Sequence, residues 1–180
     1  TLTITDNDAA PTIGFNAAAV NAVETNSGTA AKTAQVDISA VSAKSISANY
    51  TITGTSTAGG TDHNLAAGIV TIAAGNTNNT IGWNVIGEAL YETNETIIIT
   101  LSNPTNTTLS NDIVHTYTIT NDDAAPSIAF TGTAQTNNEA TTAYNVGVTL
   151  STASGVDATM DYAVGGASTA TGGGTDYTLA

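Results

Sequence analysis

Short runs in which Ile, Val, Leu or an aromatic residue alternates with Thr, Ser or Asn recur along the chain, separated by Gly, Asn or Pro. A period of two marks strands with one face in a core. The pattern predicts strands near 12–20, 33–40, 46–54, 68–73, 79–87, 95–102 and 113–121. It assigns Ile13 and Phe15, Val36 and Ile38, Tyr50 and Ile52, Val70 and Ile72, Ile81, Trp83 and Val85, and Ile97, Ile99 and Leu101 to the interior. Trp83 is expected as a core aromatic rather than a platform for a ligand. Gly75-Asn76 reads as a hairpin turn. No window carries a sustained helical stripe, so the expected fold class is all-β, an immunoglobulin-like two-sheet antiparallel β-sandwich.

The same pattern repeats at long range. Thr1-Leu2-Thr3-Ile4-Thr5-Asp6-Asn7-Asp8 returns as Thr116-Tyr117-Thr118-Ile119-Thr120-Asn121-Asp122-Asp123, a shift of 116 − 1 = 115. Ala9-Ala10-Pro11 returns as Ala124-Ala125-Pro126, and Glu24 as Glu139, at the same shift. Gly59-Gly60-Thr61-Asp62 returns as Gly173-Gly174-Thr175-Asp176. The expected organisation is therefore tandem repeats of about 115 residues: a closing strand of a preceding repeat over 1–10, a complete repeat over 11–123, and the first half of a following repeat over 124–180. Pro11 and Pro126 fix φ and stiffen the short junctions. The chain starts without Met, which suggests the middle of a longer polypeptide.

Charge changes the picture. With 15 acidic and 2 basic residues the net charge is −13, which speaks against nucleic acid, whose phosphates need Lys and Arg, and against an anionic membrane surface. No apolar run approaches the roughly 18 residues needed to span a bilayer. The absence of Cys, the scarcity of Lys and the abundance of Thr, Asn and Gly point to an extracellular or cell-surface protein of bacterial type. Sequons stand at Asn49, Asn78, Asn94 and Asn106, a number that chance supplies in a chain this rich in Asn and Thr.

Most of the acids are clustered. Val85-Ile86-Gly87-Glu88-Ala89-Leu90-Tyr91-Glu92-Thr93-Asn94-Glu95 reads as an acidic loop between half-buried strands. Further acids stand at Glu24, at Asp62 after Gly60-Thr61, and in Asn121-Asp122-Asp123, each at a strand end or turn. With Lys32 and Lys44 the only basic residues, a hard divalent cation with oxygen ligands is the ready relief for such repulsion.

These residues carry a resemblance. Ala48-Asn49-Tyr50-Thr51-Ile52, Gly54-Thr55-Ser56-Thr57-Ala58-Gly59-Gly60-Thr61-Asp62, Gly68-Ile69-Val70-Thr71-Ile72-Ala73-Ala74-Gly75-Asn76, the acidic loop, Leu101-Ser102-Asn103-Pro104 and the closing Thr118-Ile119-Thr120-Asn121-Asp122-Asp123 resemble, in order and spacing across 11–123, a Calx-beta domain. The resemblance implies calcium binding at Glu24, Asp62, Glu88, the carbonyl of Leu90, Glu92, Glu95, Asn121, Asp122 and Asp123. Gly87 stands where the family's loop usually begins with Asp, and Asn121 replaces the first Asp of the triplet, which reduces the expectation to one or two Ca2+ ions per repeat.

No enzyme is expected. His63 and His115 belong to no motif that pairs them with a nucleophile and are expected at exposed strand or turn positions. Gly172-Gly173-Gly174 has neither the helix nor the Lys of a phosphate loop. The leading expectation is a structural repeat of a long extracellular fibre, stalk or adhesin, stiffened by calcium at the repeat junctions and partnered by other copies or repeats of itself. The alternatives are a module that binds a surface glycan or protein, and a calcium sensor domain.

Overall fold

A computed structural model describes residues 1–3, 5, 7–56, 62–136, 138, 143–172, 174 and 176–178. Among the sequence-predicted features, Asp6, Glu139, and Gly59, Gly60, Thr61, Gly173 and Thr175 of the repeated turn lie outside the described residues. The chain divides into two compact units, one of residues 1–126 with 152–156 and the other of 127–151 with 157–180.

The first unit is built from β1 (Thr12–Phe15), β2 (Ala19–Val23), β3 (Gly28–Ile38), β4 (Ile46–Gly54), β5 (Gly68–Ile72), β6 (Asn78–Gly87), β7 (Glu95–Thr105), β8 (Thr108–Leu109) and β9 (Val114–Thr120). Their order is β6-β3-β1-β8 in a four-stranded sheet and β2-β9-β7-β4-β5 in a five-stranded one. Alternation places Ile13, Phe15, Val36, Ile38, Ile81, Trp83 and Val85 of the smaller sheet in one core with Val70, Ile72, Ile97, Ile99 and Leu101 of the larger, as the sequence predicts. Tyr50 and Ile52 are half-buried at its margin. Trp83 meets Tyr117 edge-on, with ring centroids 5.4 Å apart. No helix among the described residues is long and apolar enough to cross a membrane.

Departures from the predicted pattern have local causes. The single strand expected over 12–20 is two strands in different sheets. Asn16 N–H still donates to Gln35 O of β3 at 3.0 Å, whereas Ala18 O already accepts from Thr116 N–H of β9 at 2.8 Å. Beyond that hand-over β2 runs parallel to β9, in the register Ala19↔Thr116 to Val23↔Thr120. β1 and β8 also pair in parallel. The other strand pairs of this unit are antiparallel. Gly75, with φ of 83°, does make a turn. However, that turn joins β5 to β6 in the opposite sheet, so it arches over the core instead of closing a hairpin.

The histidines are buried, not exposed, because backbone needs them. His115 Nδ1 lies 2.7 Å from Ala17 O at the hand-over, with its ring against Phe15. A carbonyl only accepts, so Nδ1 carries the proton there. His63 Nδ1 accepts from Leu65 N–H at 3.1 Å. Burial lowers the His63 pKa, against the opposing charge of Asp62.

In the second unit, β10 (Ile128–Phe130) and β11 (Val148–Leu150) form an antiparallel two-stranded sheet.

Ile99 lies at the centre of the larger sheet and is fully buried. Ile99→Ala should lower the unfolding free energy by about 2–5 kcal/mol. The exposed Thr51→Ala should stay within about 0.5 kcal/mol of the parent. Urea unfolding of both variants measures the difference.

Candidate metal centre

Strand pairing brings the acids together. Because β2 is parallel to β9, both finish at the same end of the sheet, and Glu24 N–H continues the ladder by donating to Thr120 O at 3.0 Å. Because β7 is antiparallel to β9, its first residue, Glu95, pairs with Ile119 at that same end. The loop from β6 to β7 passes there with Glu88, Leu90 and Glu92, and Asp62 O accepts from Ile86 N–H at 2.9 Å.

Two groups of carboxylates result. Glu24, Asp122 and Asp123 form one, and Asp62, Glu92 and Glu95 the other; within each, one oxygen per residue lies within 4.8 Å of the others. Glu24 and Asp62 are nearly fully buried, the remainder half-buried except for the exposed Asp122. Glu88 lies close enough to both groups to feel the charges of Glu92, Asp62 and Asp123. Leu90 is half-buried in the same loop.

Asn121 holds the two groups in register. Its Oδ1 accepts from Glu92 N–H at 3.2 Å while its Nδ2 donates to Asp123 O at 3.0 Å. Asn94 Oδ1 in turn accepts from Asn121 N–H at 3.2 Å, and Asn26 Nδ2 donates to Asp123 Oδ1 at 2.8 Å. Asn26 and Asn94 were not predicted, since asparagine carries no signal in a chain so rich in it. Gly155 N–H donates to Tyr91 O at 2.9 Å, so the segment 152–156 lies against the acidic loop. Asp8 and Asp176 are exposed, and Asp176 Oδ2 is used by Thr171 N–H at 2.6 Å.

Gly87 explains one departure from the family pattern. A Cβ on it would lie 2.7 Å from the carbonyl carbon of Thr25 and closer still to the oxygen, so the backbone leaves no room for Asp there.

The electrostatics are those of carboxylates crowded together and partly withdrawn from water. Glu24 is pushed up to about 7, first by burial and then by Glu88, Asp122, Asp123 and Glu92. Glu95 is likewise pushed up to about 7, by burial, by the charge of Asp62 and a hydrogen bond with it, and by Glu92, against the Ser56 hydroxyl. Burial also raises Glu88 and Glu92, as do the carboxylates around them. Asp123 Oδ2 is buried without a hydrogen-bond partner. Oxygen-only donors, mutual repulsion and an orphaned carboxylate oxygen fit Ca2+, which takes 6–8 oxygens at about 2.3–2.6 Å in loose geometry.

The Calx-beta domain model matches residues 6–123. The chain belongs to the Calx-beta family. Solved structures with this fold include CBD12 from CALX1.2, with a TM-score of 0.55 and 22% identity over 67% of this chain and 48% of that one. The calcium binding domain CBD12 of CALX1.1 gives 0.55 and 24% over the same shares, 67% and 48%. The apo-form Calx CBD1 domain gives 0.55 and 20%, over 63% of this chain and 98% of that one. The match thus spans about half the length of the first two, and at such identities the likeness establishes the fold alone. No curated protein matches the sequence. Calx-beta domains are binding or regulatory modules rather than enzymes.

The raised carboxylates give the calcium-free Calx-beta unit a characteristic pH dependence. Glu24 and Glu95, at about 7 in the fold, retain protons that the unfolded chain releases near the ordinary 4.5. The native state binds more protons across that window, so its stability falls as pH rises through it. Melting temperatures in chelator should decline from about pH 4.5 to about pH 7, and Glu24→Gln with Glu95→Gln should flatten the decline. A level profile for the parent protein would refute the assignment.

Proposed function

We propose that this Calx-beta domain is a calcium-binding structural repeat of an extracellular bacterial fibre, stalk or adhesin, in which the cation stiffens the end of the sandwich where the chain passes to the next repeat. The observation that carries the reading is the pair of carboxylate groups at one end of the sheet, one of them including Asp122 and Asp123. Pro126 follows that triplet after Ala124 and Ala125, so whatever holds Asp122 and Asp123 also directs the outgoing chain. Glu24, Asp122 and Asp123 would hold one ion and Asp62, Glu92 and Glu95 a second, with Glu88 and the Leu90 carbonyl available to either. Asn121, its amide used at both ends, positions the ligands. Bound calcium neutralises the repulsion among these side chains and fixes β2, β7 and β9 to one another at their ends. The repeat of sequence at 115 residues (116 − 1 = 115) and the stiff Ala-Ala-Pro segments support reach and rigidity as the purpose.

Two outcomes test the proposal. Ligand that binds only the native state adds about 2.7 kcal/mol when its free concentration is about 100 times Kd. The melting temperature at neutral pH should therefore rise with calcium and fall on chelation. Glu92→Gln and Asp122→Asn should each shrink the difference; an identical melting curve with and without chelator would end the calcium reading. Separately, the persistence length of native fibres, measured from electron micrographs, should fall on chelation. Equal stiffness in both conditions would leave the cluster without a mechanical role.

A further inference from the structure

Residues 152–156 follow β11 in the chain yet pack with the first unit. Ser154 lies opposite Tyr91 in a single parallel bridge, and Gly155 N–H donates to Tyr91 O at 2.9 Å. The segment brings its own shape to this contact. Ser154 Oγ donates to Val156 O at 2.8 Å and accepts from Val156 N–H at 3.2 Å, a turn closed within the segment. A similar turn stands 154 − 42 = 112 residues earlier, where Lys44 N–H donates to Ser42 Oγ at 3.0 Å. The residue after the serine is Ala43 in the earlier turn and Gly155 in the later one.

Space, and not backbone conformation, accounts for that glycine. The positive-φ glycines among the described residues are Gly28, Gly54, Gly75 and Gly174, so the backbone at Gly155 is open to a residue with a side chain. A Cβ on Gly155, however, would lie 2.9 Å from Glu92 Cδ, 2.7 Å from its Cγ and closer still to Oε1. The glycine thus lies along the Glu92 side chain from Cγ to the carboxylate.

Glu92 belongs to the group of Asp62, Glu92 and Glu95. Its own N–H donates to Asn121 Oδ1 at 3.2 Å, and the carbonyl before it accepts from Gly155. The backbone is fixed from two sides, which leaves the rotamers of a long, flexible side chain as the remaining freedom. Ordering such a side chain costs conformational entropy, and a wall that already confines it lowers the cost of binding.

We propose that Gly155 is a positioning residue for this second carboxylate group. The segment 152–156 is a strap laid along Glu92 that holds its carboxylate toward Asp62 and Glu95, and the residue at 155 sets the affinity of that group for a hard divalent cation. The strap is assigned to this group and not to Glu24, Asp122 and Asp123, where Asp123 is held by Asn121 and Asn26. The inference rests on the calcium reading of Asp62, Glu92 and Glu95.

The test titrates the full 180-residue chain with Ca2+ and follows backbone amide resonances, those of Glu92 and Glu95 for the second group and those of Glu24 and Asp122 for the first. Gly155→Ala should weaken binding at the second group by about tenfold or more, the scale on which residues that orient metal ligands act. The first group should be unchanged. In chelator the melting temperature of Gly155→Ala should not fall below that of the parent, because without a cation the Glu92 carboxylate is free to turn away from the added methyl. Gly165→Ala, at a position where a Cβ meets open space, should leave both affinities unchanged and controls for the effect of alanine on the unfolded chain. Glu92→Asp, one methylene shorter, should cost less affinity in the Gly155→Ala chain than in the parent, a coupling that general loosening of the fold does not produce. Equal affinity of the parent and Gly155→Ala at the second group would overturn the proposal alone. No response of Glu92 and Glu95 to Ca2+ in the parent would remove the calcium reading of that group and the proposal with it.

Discussion

The parallel pairing of β2 with β9 is the constraint from which the rest of the Calx-beta unit follows. It requires the chain to leave one sheet at Asn16 and enter the other at Ala18, transferring its backbone hydrogen bonds from β3 to β9 as it goes. Had β2 met β9 antiparallel, Glu24 would stand at the opposite end of the sheet from Asn121, Asp122 and Asp123. Parallel pairing instead places both strand ends together, and the antiparallel β7 adds Glu95 to them. The buried His115 at the crossing thus serves the acidic site indirectly, since it satisfies the Ala17 carbonyl that the switch leaves between sheets.

The site and the core oppose each other energetically. Burying carboxylates beside like charges destabilises a fold, as the upward shifts of Glu24 and Glu95 indicate. The interdigitated Ile and Val residues of the two sheets supply the compensating burial. Backbone fit narrows the site further: the close approach of Thr25 to Gly87 excludes a side chain, and the Asn121 amide is engaged at both ends. Some acids outside the cluster are engaged elsewhere. Asp37, for example, accepts from Gln35 Nε2 at 2.7 Å and from Asn16 Nδ2 at 3.2 Å.

Much of this was legible in the chain because one-sided strands and unpaired acids leave simple signatures. Alternation locates β3 to β7 and β9 and names inward residues of β3, β5, β6 and β7, though not Ile46 and Ala48 of β4 or Tyr117 and Ile119 of β9, and the scarcity of Lys and Arg makes the acids at 24, 62, 88–95 and 121–123 conspicuous. What alternation cannot encode is which sheet a strand joins. After Ile13 and Phe15 the alternation gives way to Ala17-Ala18-Ala19-Val20, an apolar run with no Gly or Pro to mark the crossing, and the Gly75 turn looks the same whether it closes a hairpin or bridges two sheets. Burial of His63 and His115 was equally hidden, because it answers the needs of particular backbone groups and not a pattern along the sequence. Asn26 and Asn94 act only through partners that the fold brings to them.

The ligands of the candidate centre are drawn from widely separated parts of the polypeptide, from Glu24 at the end of β2 to Asp123 beyond β9. An EF-hand gathers its oxygens from a contiguous loop of about 12 residues and retains much of its donor set in a fragment. Here, Glu24, Asp122 and Asp123 converge only once the chain has crossed between sheets into β2 and β9 has zipped against it. That closure joins distant residues and is the slow, entropically costly kind. Cation uptake at that group would therefore be a checkpoint on topology: an ion would meet Glu24, Asp122 and Asp123 together only in a sandwich that has been completed from its first strand to its last.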